Sequence, residues 1–391
     1  MKTTFLQLLK QVRRRFRPLR NAEDIASIYH EEEASNILQT KTKREDVIRA
    51  YLAMLGRPPE NEAAIASHLS SAQTIHDLIM NFAHSDEFTQ IINSDIKATH
   101  NPLYHFNASI NVQDIIKSHI NPDRKPLAEH YVNFLGMATP TKVMSPLANM
   151  GGLLENIPIP MNYHAGMSEW AAALRAVDLA RDKFVMIELG CGWGCWMNNT
   201  GVAAKNRGLS IQLIGVEGDE KHLEFASETL KINHISTSEY TLRRGIAGVG
   251  SGYALFPSRQ HADRWGAEPV FDVSESESIE AVATGQFDRL PIIPLPEVIS
   301  DYSKVDLVHI DIQGGEADLV EKSISLLSEK VSYLVIGTHS RSIEGQLFDT
   351  LVNAGWLLEV ERPAILHITE GKPIVRIDGI QGWVNPKFHR P

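Results

Sequence analysis

Phe184-Val-Met-Ile-Glu-Leu-Gly-Cys-Gly-Trp-Gly194 is a short apolar run that closes on an acid, Glu188, and passes at once into glycines at 190, 192 and 194. A buried parallel strand reads as such a run, and the glycines let the chain turn sharply with its backbone against a ligand. Some two dozen residues on, Ile211-Gln-Leu-Ile-Gly-Val-Glu217 repeats the theme and ends in another acid. Strand, glycine turn, helix, strand, acid is the layout of a nucleotide-binding α/β half, in which the second acid takes ribose hydroxyls.

Glycine spacing selects the ligand. A dinucleotide fold requires G-x-G-x-x-G, because its pyrophosphate sits on the helix N-terminus. Here the third position of that pattern is Cys195, and the glycines run G-x-G-x-G. That spacing resembles motif I of the class I S-adenosylmethionine-dependent methyltransferases, whose ligand carries no phosphate. The resemblance implies an α/β Rossmann-like sheet with helices on both faces, here preceded by a small all-α domain.

At 391 residues the chain has room for two or three domains, and no apolar run approaches the ~18–20 residues of a membrane span. The two cysteines, Cys191 and Cys195, both lie in the glycine turn. They are too few for a structural zinc site or a disulfide framework, and they suit a reducing cytoplasm. The net charge of −10 is unevenly spread, since residues 1–20 carry seven Lys and Arg and no acid. Phe5, Leu8, Leu9, Val12, Phe16 and Leu19 recur there at helical spacing. A solvated or partner-docking arm is the preferred reading, with contact to the inner face of an anionic membrane the alternative. The acidic remainder argues against nucleic acid as substrate.

Four stretches follow from the pattern: a basic amphipathic arm (1–40), a helical docking module (41–100), a proline-rich linker or lid (101–165) and the catalytic domain (166–391). In the module, Val47, Ile48, Tyr51, Leu52 and Leu55 form an apolar stripe, followed by Ile65 and Leu69, by Ile75, Leu78, Ile79 and Phe82, and by Phe88, Ile91 and Ile92. The wording from Tyr51-Leu-Ala-Met-Leu-Gly-Arg-Pro58 to Ser85-Asp-Glu-Phe88 is similar to a small helical module of bacterial surface and glycan-related proteins. It implies docking to a partner and no chemistry.

Ser168 reads as the N-cap of a helix with Trp170, Ala173, Leu174 and Val177 on one face. After Glu217 we expect a helix over 219–233, a third strand over 240–246, a fourth over 305–311 and a fifth over 331–338. A helix near 343–353 and strand-like runs over 356–361, 364–369 and 373–377 follow. The interval 247–304, with Arg259, His261, Arg264 and Trp265, is too long for an ordinary connection. It reads as an insertion that shapes the substrate pocket.

Four blocks then resemble one methyltransferase family, FkbM: Ile187-Glu-Leu-Gly-Cys-Gly-Trp-Gly194, Gly215-Val-Glu-Gly218, Gly245-Ile-Ala-Gly-Val-Gly250 and Asp306-Leu-Val-His-Ile-Asp-Ile-Gln-Gly-Gly-Glu316. The last departs from the family by Gln313 where Glu is usual. The resemblance spans about 184–360 and implies an O-methyltransferase (EC 2.1.1.-) acting on a hydroxyl of a saccharide or other natural product. It places S-adenosylmethionine on Glu188, Gly190, Gly192, Gly194, Glu217 and Gly218, with Glu188 holding the ammonium and Glu217 the ribose.

Methyl transfer is an in-line displacement governed by placement, and a base that relieves the acceptor of its proton helps. Period-two alternation puts His309 and Asp311 on one face of the fourth strand, and His339 ends the fifth; these are the expected catalytic residues. A hard divalent ion held by Asp311, Glu316 and His339 is the less favoured use of the same cluster. An NAD-dependent sugar oxidoreductase and a non-catalytic scaffold in glycan assembly are the competing readings.

Overall fold

The computed structural model describes residues 39–389 except 56, 84, 86, 88–101 and 259–265. The basic arm therefore lies outside the described residues, as do Phe88, Ile91, Ile92, Arg259, His261, Arg264 and Trp265. The chain divides into two compact units, Met1–Asn101 and Pro102–Pro391.

In the first unit, α1 (Arg44–Ala50) runs into a π-helical turn, Tyr51–Leu55, and is followed by α2 (Glu62–Ser71) and α3 (Ile75–Ala83). Val47, Tyr51, Ile65, Leu78 and Phe82 form its core, with the Phe82 ring edge-on to Tyr51. The two ends of the module's sequence pattern meet here. Arg57 donates to both carboxylate oxygens of Glu87, at 2.6 and 2.7 Å, and its guanidinium lies over the Tyr51 ring.

The second unit opens with β1 (Asn107–Ala108), α4 (Val112–Ser118), β2 (His130–Val132) and β3 (Ala138–Pro140). Residues 102–165 are not the linker expected from their prolines. Val112, Ile116, Phe134, Leu135 and Ala165 are buried in the same core as the sheet, which gives this segment enough apolar surface to pack.

Helix α5 (Met167–Leu179) precedes β4 (Lys183–Leu189), α6 (Cys195–Asn206), β5 (Ser210–Glu217), α7 (Glu220–Ile232) and β6 (Tyr240–Arg244). The N-cap of α5 is Gly166, and Ser168 sits inside the first turn, fully buried. Trp170 is core, as expected. The third strand stops at Arg244; the next residues leave the main sheet as β7 (Ile246–Gly248) and join β8 (Gly252–Pro257) and β9 (Phe287–Pro294) in a separate three-stranded sheet. Helix α8 (Glu275–Ala283) lies between β8 and β9, and α9 (Leu295–Ile299) follows them. The insertion is thus a folded subdomain.

The chain returns through β10 (Val305–Ile310), α10 (Glu316–Lys330), β11 (Val331–Thr338), α11 (Arg341–Asn353) and β12 (Leu357–Arg362). A hairpin, β13 (Ile365–Thr369) and β14 (Lys372–Ile377), and a last strand, β15 (Gly379–Val384), complete it. The main sheet has the order β1-β12-β15-β11-β10-β4-β5-β6. From β11 to β6 the strands are parallel, while β15 is antiparallel to both neighbours. This is the expected Rossmann-like sheet of class I methyltransferases. Apolar residues pack on both faces, Met186, Leu213, Leu307 and Tyr333 on one and Ile187, Ile214, Val308 and Leu334 on the other.

β15 is absent from the sequence expectation, because glycines 379 and 382 interrupt its pattern. Gly382 is required by packing, since a Cβ there would stand 3.0 Å from both the Ala172 Cβ and the Tyr333 hydroxyl. Gly382→Val should therefore cost about 1–3 kcal/mol of stability. Urea titration would read this as a lower midpoint; an unchanged midpoint would refute the packing argument.

Candidate active site

The carboxyl ends of β5, β4 and β10 meet at the glycine turn. Gly190, Gly192 and Gly194 all have positive φ, at 76°, 50° and 71°. Gly190 is held most tightly: the Asp311 amide donates to the Leu189 carbonyl at 3.0 Å, and a Cβ on Gly190 would strike the Asp311 carbonyl oxygen. The Gly190 and Cys191 amides donate to the Val216 carbonyl, each at 3.0 Å, which ties the turn to β5.

Glu217 completes the turn from the other side. One carboxylate oxygen accepts the Gly192 amide and the other the Asp219 amide, both at 2.8 Å. Burial pushes its pKa up against the pull of those amides and of His222, whose ring nitrogen stands 4.0 Å away. Each oxygen keeps acceptor capacity, and the group opens on a cleft of ≈ 170 Å³, room for on the order of ten waters. Gly190, Gly192, Glu217 and Gly218 line the cleft on the sheet side; Ile246 and, from the insertion, Phe256, Ala267 and Pro269 line it opposite; Asp311, Ile312 and Gln313 close it.

Glu188 departs from its expected place. It is 2 % exposed, and its carboxylate accepts the Trp196 and Met197 amides at 3.2 and 2.8 Å. Its pKa is pushed up to about 7 by burial. It anchors the start of α6 and does not line the cleft. Gly194 likewise serves as the N-cap of α6.

His309 and Asp311 also part company. β10 ends at Ile310, so the period-two alternation stops before Asp311. His309 is buried between β4 and β11 in sheet register with Glu188 and Val335. Its Nε2 lies 3.3 Å from Glu169 Oε1, which also accepts the Trp196 indole at 3.1 Å. Burial works against its protonation, but Glu169, Glu188 and Asp311 outweigh this and raise its pKa.

Asp311 instead faces His339. Its side chain is 42 % exposed, 3.3 Å from His339 Nε2, and its Oδ1 accepts the Gln313 amide at 2.9 Å. Gln313 in the usual place of Glu therefore gives Asp311 a donor in place of a second carboxylate. Burial opposes ionisation of Asp311, yet the two histidines and Gln313 hold its pKa below the usual range. His339 Nδ1 donates to Glu316 Oε1 at 2.9 Å. Burial lowers its pKa, but the two carboxylates raise it to about 10.

Asp311, Glu316 and His339 bring their ligand atoms within 4.8 Å of one another. The donor set nevertheless does not fit a hard divalent ion. Glu316 is fully buried and its oxygens already accept the Ile312 and Gly314 amides and His339. That leaves one carboxylate and one imidazole nitrogen, short of the six or so oxygens such an ion prefers.

Sequence reasoning missed the apolar wall of Ile246, Phe256, Ala267 and Pro269, and it missed Glu169 and Trp196. No periodicity marks them: the wall reaches the cleft through the folding of 246–269, and Glu169 and Trp196 lie outside the cleft lining, against His309. Cys195 places its sulfur 3.2 Å from the His164 ring, with Asn199 beside it.

The fold and the cleft define a methyltransferase. A protein of Jannaschia sp. (strain CCS1), described as "Putative methyltransferase", is 43 % identical over 261 residues, which is 66 % of this chain and 93 % of that one. The chain belongs to this methyltransferase family, and the oxidoreductase alternative falls with that relationship. No family model matches the chain. Among solved structures, methyltransferase FkbM from Methylobacillus flagellatus KT superposes with a TM-score of 0.33 at 14 % identity, covering 56 % of this chain and 54 % of that one. The precorrin-6y C5,15-methyltransferase of Geobacter metallireducens GS-15 gives 0.32 at 13 %, covering 54 % and 86 %. Among the described residues no helix is long and apolar enough to cross a membrane.

The His339 pairing predicts a pH dependence of stability. A histidine raised from 6.5 to about 10 contributes fully below 6.5, and the contribution is lost as pH climbs through 10. Wild type should lose its urea-midpoint advantage over His339→Gln across that window. Parallel curves for the two proteins would overturn the assignment.

Proposed function

We propose that the chain is an FkbM-type O-methyltransferase that takes its methyl group from S-adenosylmethionine and delivers it to a hydroxyl of a saccharide or related natural product. The observation that carries this reading is Glu217, a buried carboxylate held open at the cleft by two backbone amides, with an apolar wall beyond it. In this assignment Glu217 accepts the ribose hydroxyls, the adenine rests against Ile246, Phe256, Ala267 and Pro269, and Gly190 and Gly192 admit the amino-acid portion. When bound, S-adenosylmethionine supplies a methyl group on a positively charged sulfur.

The chain's own residues then position and deprotonate the acceptor. Asp311 is the exposed acid at the cleft mouth, and protonated His339 keeps it ionised. An acceptor hydroxyl donating to Asp311 is held in line. The proton on its oxygen becomes strongly acidic as that oxygen takes the methyl group, so a base as weak as the Asp311 carboxylate suffices to accept it. His339 stays protonated through its hydrogen bond to Glu316 and its ion pair with Asp311, and acts through Asp311. His309 fixes Glu169 and Trp196 behind the site. The helical unit is assigned a docking role, with a protein partner in the cytoplasm or at the membrane's inner face.

Glu217→Ala should abolish calorimetric binding of S-adenosylmethionine while leaving the thermal transition of the protein in place. Retained affinity would refute the donor site. A labelled-methyl screen over nucleotide sugars, oligosaccharides and lipid-linked glycans tests the acceptor class, and transfer to none of them would count against it.

A further inference from the structure

The carboxyl edge of the sheet continues beyond His339. β15 is antiparallel to β11 and β12 is antiparallel to β15, so the end of β12 stands at the same edge as the ends of β10 and β11. Ile380 is the register partner of both Gly337 and Arg362. Arg362 is therefore two strand spacings, about 10 Å, from β11. That is the span of one or two sugar residues.

Arg362 is 5 % exposed, and its Nε and Nη1 are buried without a hydrogen-bond partner. The acids that act on it through space are Glu169, Asp378, Glu344 and Glu361; three of them hold other hydrogen bonds, and burial raises the pKa of Asp378 and so works against its charge. Glu169 takes Trp196 and His309; Glu344 takes the Thr338 hydroxyl and the Ala364 amide; Glu361 takes Asn107. A buried guanidinium without a bonded partner is costly. Its surroundings add to the cost. Arg362 Nε stands 3.9 Å from where a Cβ on Gly166 would be, and Gly166 is the N-cap of the 13-residue α5, with no side chain to cap it. A cation beside the positive end of a helix dipole is doubly unfavourable, and an anion relieves both.

We propose that Arg362 binds a carboxylate or phosphate group carried by the acceptor, so that this methyltransferase acts on acidic saccharides rather than neutral ones. The assignment rests on the function proposed above. A planar guanidinium takes either oxyanion through paired N–H donors, whereas a neutral hydroxyl leaves its charge uncompensated.

The test is binding of D-glucuronate, inorganic phosphate and D-glucose to the full chain loaded with S-adenosylhomocysteine, followed by ligand-observed NMR. One of the two anions should bind at least about tenfold more tightly than glucose. Preference for glucuronate assigns a carboxylate, and preference for phosphate assigns a phosphate. Arg362→Met should erase the preference and Arg362→Lys should keep part of it, with S-adenosylhomocysteine affinity unchanged in both. Equal binding of glucose, or a preference that survives in Arg362→Met, overturns the proposal. So does loss of S-adenosylhomocysteine binding in Arg362→Met, which would mark a structural role. If the wild type itself fails to bind S-adenosylhomocysteine, the donor reading falls, while the same titrations on the unloaded chain still decide Arg362.

Discussion

The carbonyl oxygen of Asp311 occupies the space that a side chain on residue 190 would need. Around that contact three strand ends are fastened together, since the Asp311 amide bonds β4 and the Gly190 and Cys191 amides bond β5. The floor of the cleft is thus backbone on backbone, too close for any residue but glycine. Glu217 and Asp311 are set on opposite sides of it by covalent continuity with strands that cannot slide. Electrostatic arrangement follows from this geometry: one carboxylate is oriented by amides, the other by His339 and the Gln313 side-chain amide.

Charge along the sheet edge is graded. One end holds Glu217 and the glycine turn, the middle holds the Asp311–His339–Glu316 chain, and the far end holds Arg362. The first two contain acids; the third contains a cation whose Nε and Nη1 have no hydrogen-bond partner. Such a gradient suits a site that must hold a positively charged donor and a second molecule of different charge side by side, because each is attracted to one half and disfavoured in the other.

Most of this chain's nucleotide-binding half was legible. Phe184–Gly194, Ile211–Glu217 and Val305–Asp311 are continuous apolar runs closed by acids, and a parallel strand buried on both faces has few other ways to be written. Helix ends came out within a residue or two where caps were strong, as at Asp219, whose side chain accepts the Lys221 and His222 amides. They slipped at α5, where Ser168 offered a capping side chain and the chain used Gly166 instead. Packing of 102–165 onto the sheet outweighed a proline count that suggested a linker. The final strand was hidden because its glycines answer to residues distant in the chain, Gly382 to Ala172 of α5 and Tyr333, and Gly379 to Thr338, Glu344 and Ala364.

What the sequence determined by itself is everything that depends on neighbours along the chain: the strand–turn–strand order, the glycine turn and the acid at 217. Tertiary structure decided which way side chains face once a strand has ended. Asp311 lies one residue past β10, where alternation no longer binds it, so it turned to His339 while His309 stayed inside with Glu169. It also decided that Glu188 caps a helix and that Phe256 walls the cleft. Apart from the Glu188 cap, which is local, those outcomes rest on contacts between segments tens to hundreds of residues apart, and periodicity along the chain carries no record of any of them.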